Sequence, residues 1–156
     1  MTDIVTLRRI LKTYKRVAMV GLSADWWRPS FFAAKYLLEH GFEVIPVNPK
    51  YEEILGQKCY PDLKSIPTPV DIVDLFQKAE RVPLFVDDAI AIGAKVVWMQ
   101  LGIVNEEAAQ KSRDAGLEVV MDRCMKIEYA RIFGGLNTIG VNTKIISAKR
   151  PKFINF

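Results

Sequence analysis

The chain has 156 residues, 50% of them hydrophobic, which is enough to bury one core and leaves little room for a second. Its net charge of +4 is carried by Lys144, Lys149, Arg150 and Lys152 in an acid-free C-terminal stretch; the body sums to zero, which argues against a nucleic-acid surface. The charged first residues, the lack of any run near the ~20 apolar residues of a membrane span, and two cysteines without CxxC spacing argue against export, membrane insertion, disulfides and a metal site, and fit a cytoplasmic protein.

At the N-terminus, Ile4, Leu7, Leu11 and Tyr14 recur at helical spacing behind Thr2 or Asp3 as cap, predicting a helix over an edge or end of a sheet. From Arg16 onward short β-branched runs alternate with helical stretches, the pattern of a parallel sheet wrapped by helices. Strands are expected at 17–22, 43–47, 71–76, 95–100 and 117–121, apolar enough for burial on both faces. Ser30 after Pro29 is expected to cap a helix ending at Gly41. Another starts near Ala79 and stops at Gly93, with Pro83 tolerable only in its first turn. Asn105, followed by Glu106 and Glu107, opens a helix that ends at Gly116, and Cys124 begins one running through Arg131. The fold class that follows is α/β, a Rossmann-like three-layer fold with a five-stranded parallel sheet of order 3-2-1-4-5 plus an N-terminal helix. Residues 1–135 form the domain and 136–156 a basic tail, whose strand pairing between subunits would make a homodimer.

In such a sheet small molecules bind beyond the carboxyl ends of the strands, where strand order reverses. The first strand runs into a polar loop in which Gly21 lets a ligand approach the backbone, Ser23 and Ser30 offer hydroxyls, Arg28 a planar cation, and the helix starting at Pro29 its free N–H groups. GxGxxG is absent, and a glycine here also fits a simple tight turn. The second strand ends in Val47-Asn48-Pro49-Lys50, with no acid for the ribose hydroxyls of a nicotinamide or flavin dinucleotide. That suits a ligand with extra phosphate near the ribose, coenzyme A or NADP, or else a rigid turn with a solvated lysine. Phe76 either stacks on a purine or belongs to the core, Lys78 can reach phosphate, and Gln100, Leu101 and Gly102 either bond an amide-rich arm or satisfy the strand end.

Taken in order, Val20-Gly21-Leu22-Ser23, Arg28-Pro29-Ser30, Val44-Ile45-Pro46-Val47-Asn48-Pro49, Ile54-Leu55-Gly56, Cys59-Tyr60-Pro61, Val70 to Phe76, Trp98-Met99-Gln100-Leu101-Gly102 and Val120 to Cys124 resemble the small stand-alone CoA-binding domain proteins of bacteria and archaea. They are similar also to the CoA-binding domain of succinate-CoA ligase alpha subunits and ADP-forming acyl-CoA synthetases. The resemblance covers residues 17–133 and implies a coenzyme A or acyl-CoA ligand. By position, Gly21, Ser23, Arg28, Pro29 and Ser30 would form the phosphate loop; Val47, Asn48, Pro49 and Lys50, with Phe76, Gln77, Lys78 and Val82, would surround the nucleotide; Gln100, Leu101 and Gly102 would face the pantetheine. Trp26 and Trp27 depart from the polar loop expected in relatives, and 137–142 falls outside the match.

Catalysis is not indicated. The related ligases use a phosphorylated histidine from outside this domain, and the one histidine here, His40, precedes Gly41 in a last helical turn, where it caps carbonyls. No HExxH, GxSxG or Walker A motif is present, and Asp71, Asp74, Asp87 and Asp88 read as strand termini and a solvated helix face. Cys124, beside Arg123 at a helix start, is either a thiol of depressed pKa able to form a mixed disulfide with coenzyme A or a small packed residue. The reading is non-catalytic binding of coenzyme A or an acyl-CoA; the alternatives are an NAD(P)-dependent oxidoreductase and an interaction module using the Trp26-Trp27 loop.

Overall fold

The computed structural model describes residues 2–134; the basic tail and the subunit pairing expected of it lie outside them. Asp3 accepts the Thr6 N–H at 2.9 Å and opens α1 (Ile4–Thr13), which buries Leu7, Ile10 and Leu11. The central sheet is all parallel: β1 (Arg16–Val20), β2 (Glu43–Val47), β5 (Ile72–Leu75), β6 (Val96–Met99) and β7 (Glu118–Val120). Alternate residues of each strand face opposite cores. Val17, Met19, Val44, Ile72, Trp98 and Val120 pack under α1, α2 (Pro29–Glu39) and α5 (Met125–Phe133). Ala18, Val20, Ile45, Val73, Leu75, Val97 and Met99 pack under α3 (Val82–Ala91) and α4 (Glu106–Asp114). The result is the expected three-layer α/β fold. None of these helices is long and apolar enough to cross a membrane.

The order β2-β1-β5-β6-β7 is 2-1-3-4-5 in sheet strands and corrects the expected 3-2-1-4-5. Both orders satisfy right-handed crossovers, so the alternation of elements does not choose between them. The choice is made at β2. Tyr60 lies along its outer edge, donating to the Pro46 carbonyl at 3.0 Å and accepting the Asn48 N–H at 2.9 Å, where a third strand would have paired. The segment before it forms a two-stranded hairpin, β3 (Glu53–Ile54) and β4 (Gln57–Lys58), which the sequence reading missed. Leu63 and Val70 then join the core opposite α2. The chain therefore crosses β1 on that face and lays β5 beside it, moving the reversal of strand order to the gap between β1 and β5.

Two helix starts refine the expectations. Arg28, not Ser30, is the N-cap of α2, with Pro29 in its first turn and no side-chain capping bond. A 3-10 turn (Ala79–Arg81) precedes α3, which admits Pro83 because it sits in the first turn, where its missing N–H has no helical partner. Asn105 caps α4 as expected, accepting the Ala108 N–H at 2.9 Å. His40 is the C-cap of α2; its Nδ1 lies 2.7 Å from the Tyr36 carbonyl and its ring stacks on Tyr36.

Candidate functional site

The loops leaving β1, β2, β5 and β6 enclose an open cleft of about 740 Å³ across the reversal point. Gly21 lines it where β1 ends. At φ +84° the residue turns the chain in a left-handed conformation, and a Cβ there would stand 2.3 Å from the Phe76 carbonyl oxygen and 2.7 Å from Gln77 Nε2. The Gly21 N–H donates to the Val47 carbonyl at 2.9 Å, so the turn is held against the ends of β2 and β5 together.

The two serines of the first loop hold its shape. Ser30 Oγ accepts the Ser23 N–H at 3.1 Å, and Ser23 Oγ accepts the Asp25 N–H at 3.1 Å. Asn48 ties the second turn to the first: its Nδ2 donates to the Leu22 carbonyl at 3.1 Å and its Oδ1 accepts the Lys50 N–H at 3.0 Å. Around this frame stand four cations, Arg28, Lys50, Lys78 and Arg81, and one carboxylate, Asp25, 3.9 Å from Arg28. That pair is exposed and loose, which leaves the guanidinium available to an anion.

The floor is built differently. Gln100 is buried at 4% exposure and donates from Nε2 to Oδ1 of Asp74, which is wholly buried in β5 between Met19 of β1 and Trp98 of β6. Asp74 Oδ2 has no hydrogen-bond partner among the described residues. Burial pushes the Asp74 carboxyl up to about 7, against a smaller opposite effect of the Gln100 bond. The turn into α5 closes over this pair: the Trp98 indole donates to the Arg123 carbonyl at 2.8 Å, and the Gly102 N–H donates to Asp122 Oδ1 at 2.7 Å. Cys124 reaches the cleft there. Burial raises its thiol pKa, which favours the packed residue over the reactive thiol of the two readings: the first-turn N–H groups act in the lowering direction but are outweighed.

Of the residues proposed from sequence, Gly21, Ser23, Arg28, Pro29, Ser30, Asn48, Lys50, Phe76, Lys78, Gln100 and Leu101 meet in the cleft wall. Val47 and Val82 instead sit in the core under α3 and α4, Pro49 is exposed beside the cleft, and Gly102 is engaged by Asp122. Gln77, inside the stretch from Phe76 to Lys78, lines it as well, and Asp25, Tyr51, Arg81 and Ile103 line it without having been singled out. Arg81 had a readable signal, lying three residues after Lys78 before a helix start. Asp74 was read as a strand terminus and is a buried strand residue. Trp26 and Trp27 stand exposed, edge to face, with ring centroids 6.1 Å apart, outside the cleft wall.

Comparison with known proteins gives one family, described as CoA binding domain, whose match spans residues 15–130. An uncharacterized protein of Bacillus subtilis, YneT, is 41% identical over 124 residues, 80% of this chain and 92% of that protein. A solved structure of a hypothetical protein from Pyrococcus horikoshii superposes with a TM-score of 0.83 at 47% identity, covering 85% of this chain and 94% of that one. Similarity extends to an ADP-forming acetate–CoA ligase of Archaeoglobus fulgidus, 31% identical over 129 residues; the match covers 80% of this chain and 19% of the ligase.

Proposed function

The chain belongs to the CoA binding domain family, and on that premise we propose that the cleft across β1, β2, β5 and β6 binds coenzyme A or an acyl-CoA without transforming it. The observation that carries this reading is the convergence of Arg28, Lys50, Lys78 and Arg81 around a glycine turn that has no room for a Cβ. Such a rim suits a ligand with several phosphates, which the charged side chains and the N–H groups at the start of α2 can hold. The residues fit coenzyme A in a second respect. Behind the charged rim the wall turns to Phe76, Leu101 and Ile103, with Gln100 as the polar group on the floor, where the sulfur-bearing end of a long arm held at the rim would come to rest.

The absence of chemistry is supported by where His40 lies. Helix α2 runs back from the carboxyl edge, so its C-cap is at the opposite edge of the sheet from the cleft and is engaged with Tyr36. The thiol in the wall, Cys124, is buried, and burial raises its pKa and disfavours the thiolate.

Isothermal titration with coenzyme A, acetyl-CoA, NADP and NAD in parallel tests the reading. Coenzyme A or acetyl-CoA is expected to bind, with Arg28→Ala weakening it about tenfold through loss of one charge-assisted contact. Binding of NADP with no response to either CoA ligand overturns the proposal.

A further inference from the structure

We propose that Asp74 is a positioning residue that sets which atom of the Gln100 amide faces the cleft, and thereby makes the choice between a thiol-bearing and a thioester-bearing ligand depend on pH. This rests on the reading of the cleft as a coenzyme A site. The geometry is that of a buried carboxyl whose hydrogen-bond partner among the described residues is a cleft residue: Oδ1 receives Gln100 Nε2, and Oδ2 receives none of their donors.

An ionised carboxylate can only accept, so it takes the Gln100 NH₂ and leaves the carbonyl Oε1 as the group offered to the cleft. A neutral Asp74 can also donate. Its O–H at the Oδ1 position can bond Oε1 of a rotated amide, which turns the NH₂ toward the cleft, and the unpartnered Oδ2 is then an uncharged oxygen, less costly to leave buried. One proton on Asp74 therefore exchanges an acceptor for a donor on the floor. A free thiol offers S–H to an acceptor. A thioester has no S–H and offers a carbonyl oxygen, which needs a donor.

Among the described residues, the ionisable group that interacts with Asp74 is Cys124, at the start of α5. Its strand neighbours are Met19 and Trp98, α1 buries Leu7, Ile10 and Leu11, and α2 buries Ser30, Ala33, Ala34 and Leu37. The turn into α5 supplies the titratable neighbour Cys124, with Lys126 beside that thiol. Glu128 of the same helix is engaged by Arg131 at 2.5 Å and by Arg123 at 3.8 Å. The carboxyl of Asp74, at about 7, is thus the group that titrates near the floor in the neutral range.

Titration of coenzyme A and acetyl-CoA from pH 5.5 to 8.5 reads the effect as the ratio of the two dissociation constants. Phosphate titration is common to both ligands and cancels in the ratio. In the unsubstituted protein the preference should shift toward acetyl-CoA by about fivefold as pH falls through 7, the worth of one net hydrogen bond. Asp74→Asn should flatten the profile, and Gln100→Met, which removes the polar group while keeping its length, should flatten it independently. A constant ratio in the unsubstituted protein, or an unchanged slope in either variant, overturns the proposal while leaving the coenzyme A site standing. Failure of both ligands to bind at any pH removes that site and this inference with it.

Discussion

Replacing Asp74 by Asn should stabilise the protein above neutral pH, although it alters a wholly buried polar residue. The folded-state value of about 7, against 3.8 for an unperturbed carboxyl, disfavours the charged form by about 4 kcal/mol. An Asn in the same place puts an N–H where Oδ2 now lacks a partner, and leaving that donor buried costs about 1 to 3 kcal/mol. The net expectation at pH 8 is a gain of about 1 to 3 kcal/mol. The sign then changes with pH. A group whose folded pKa lies above its unfolded one contributes fully below the unfolded value, near 3.8, and that contribution is lost as pH rises through 7. Between pH 8 and pH 5 the unsubstituted protein should therefore recover about 2 to 3 kcal/mol relative to the variant. Urea denaturation of both proteins at intervals from pH 5 to 8 measures this directly, because titrations elsewhere in the chain cancel in the difference. A free-energy difference that stays constant over that range would refute the assignment of a buried, proton-binding Asp74.

Gly21→Ala should destabilise the fold by about 2 kcal/mol or more, since it combines a left-handed φ with a Cβ 2.3 Å from a backbone oxygen, and should weaken coenzyme A binding; chemical denaturation reading no loss would show that the turn relaxes freely. Cys59 and Cys124, both with thiols raised by burial, should react with a disulfide reagent at pH 7.5 at least about tenfold more slowly in the folded protein than in urea. Rapid labelling of Cys124 in the native state would restore the reactive-thiol reading.

The five strands, the helices after them and most of the cleft wall were legible because they rest on local signals: apolar runs, Asn105 as a cap, Gly21 and the cations at strand ends. Strand order was expected as 3-2-1-4-5 and is 2-1-3-4-5, yet one residue carried the difference. A proline inside a sheet belongs on an edge strand, and the Pro46 carbonyl points to the outer side of β2, the side on which its ring nitrogen has no hydrogen to give. Pro46 thus marks β2 as the edge and excludes the 3-2-1-4-5 order. The small hairpin left no such trace, since its turn sets Leu55 at φ +53°, where a branched side chain is not anticipated.

Asp74 was misread for a different reason. In sequence it stands near the end of a strand, where an acid meets water; only the register, with Trp98 opposite and Gln100 two residues further on the same face, shows that it is enclosed and joined to the cleft floor. The same substitution is expected to increase stability and to abolish the pH-dependent choice of ligand. Stability alone would favour an uncharged residue at this position. A carboxyl that weakens the fold at neutral pH and whose one hydrogen bond goes to a ligand-facing amide is accounted for by what it does to Gln100, and the two measurements on Asp74→Asn must therefore move together.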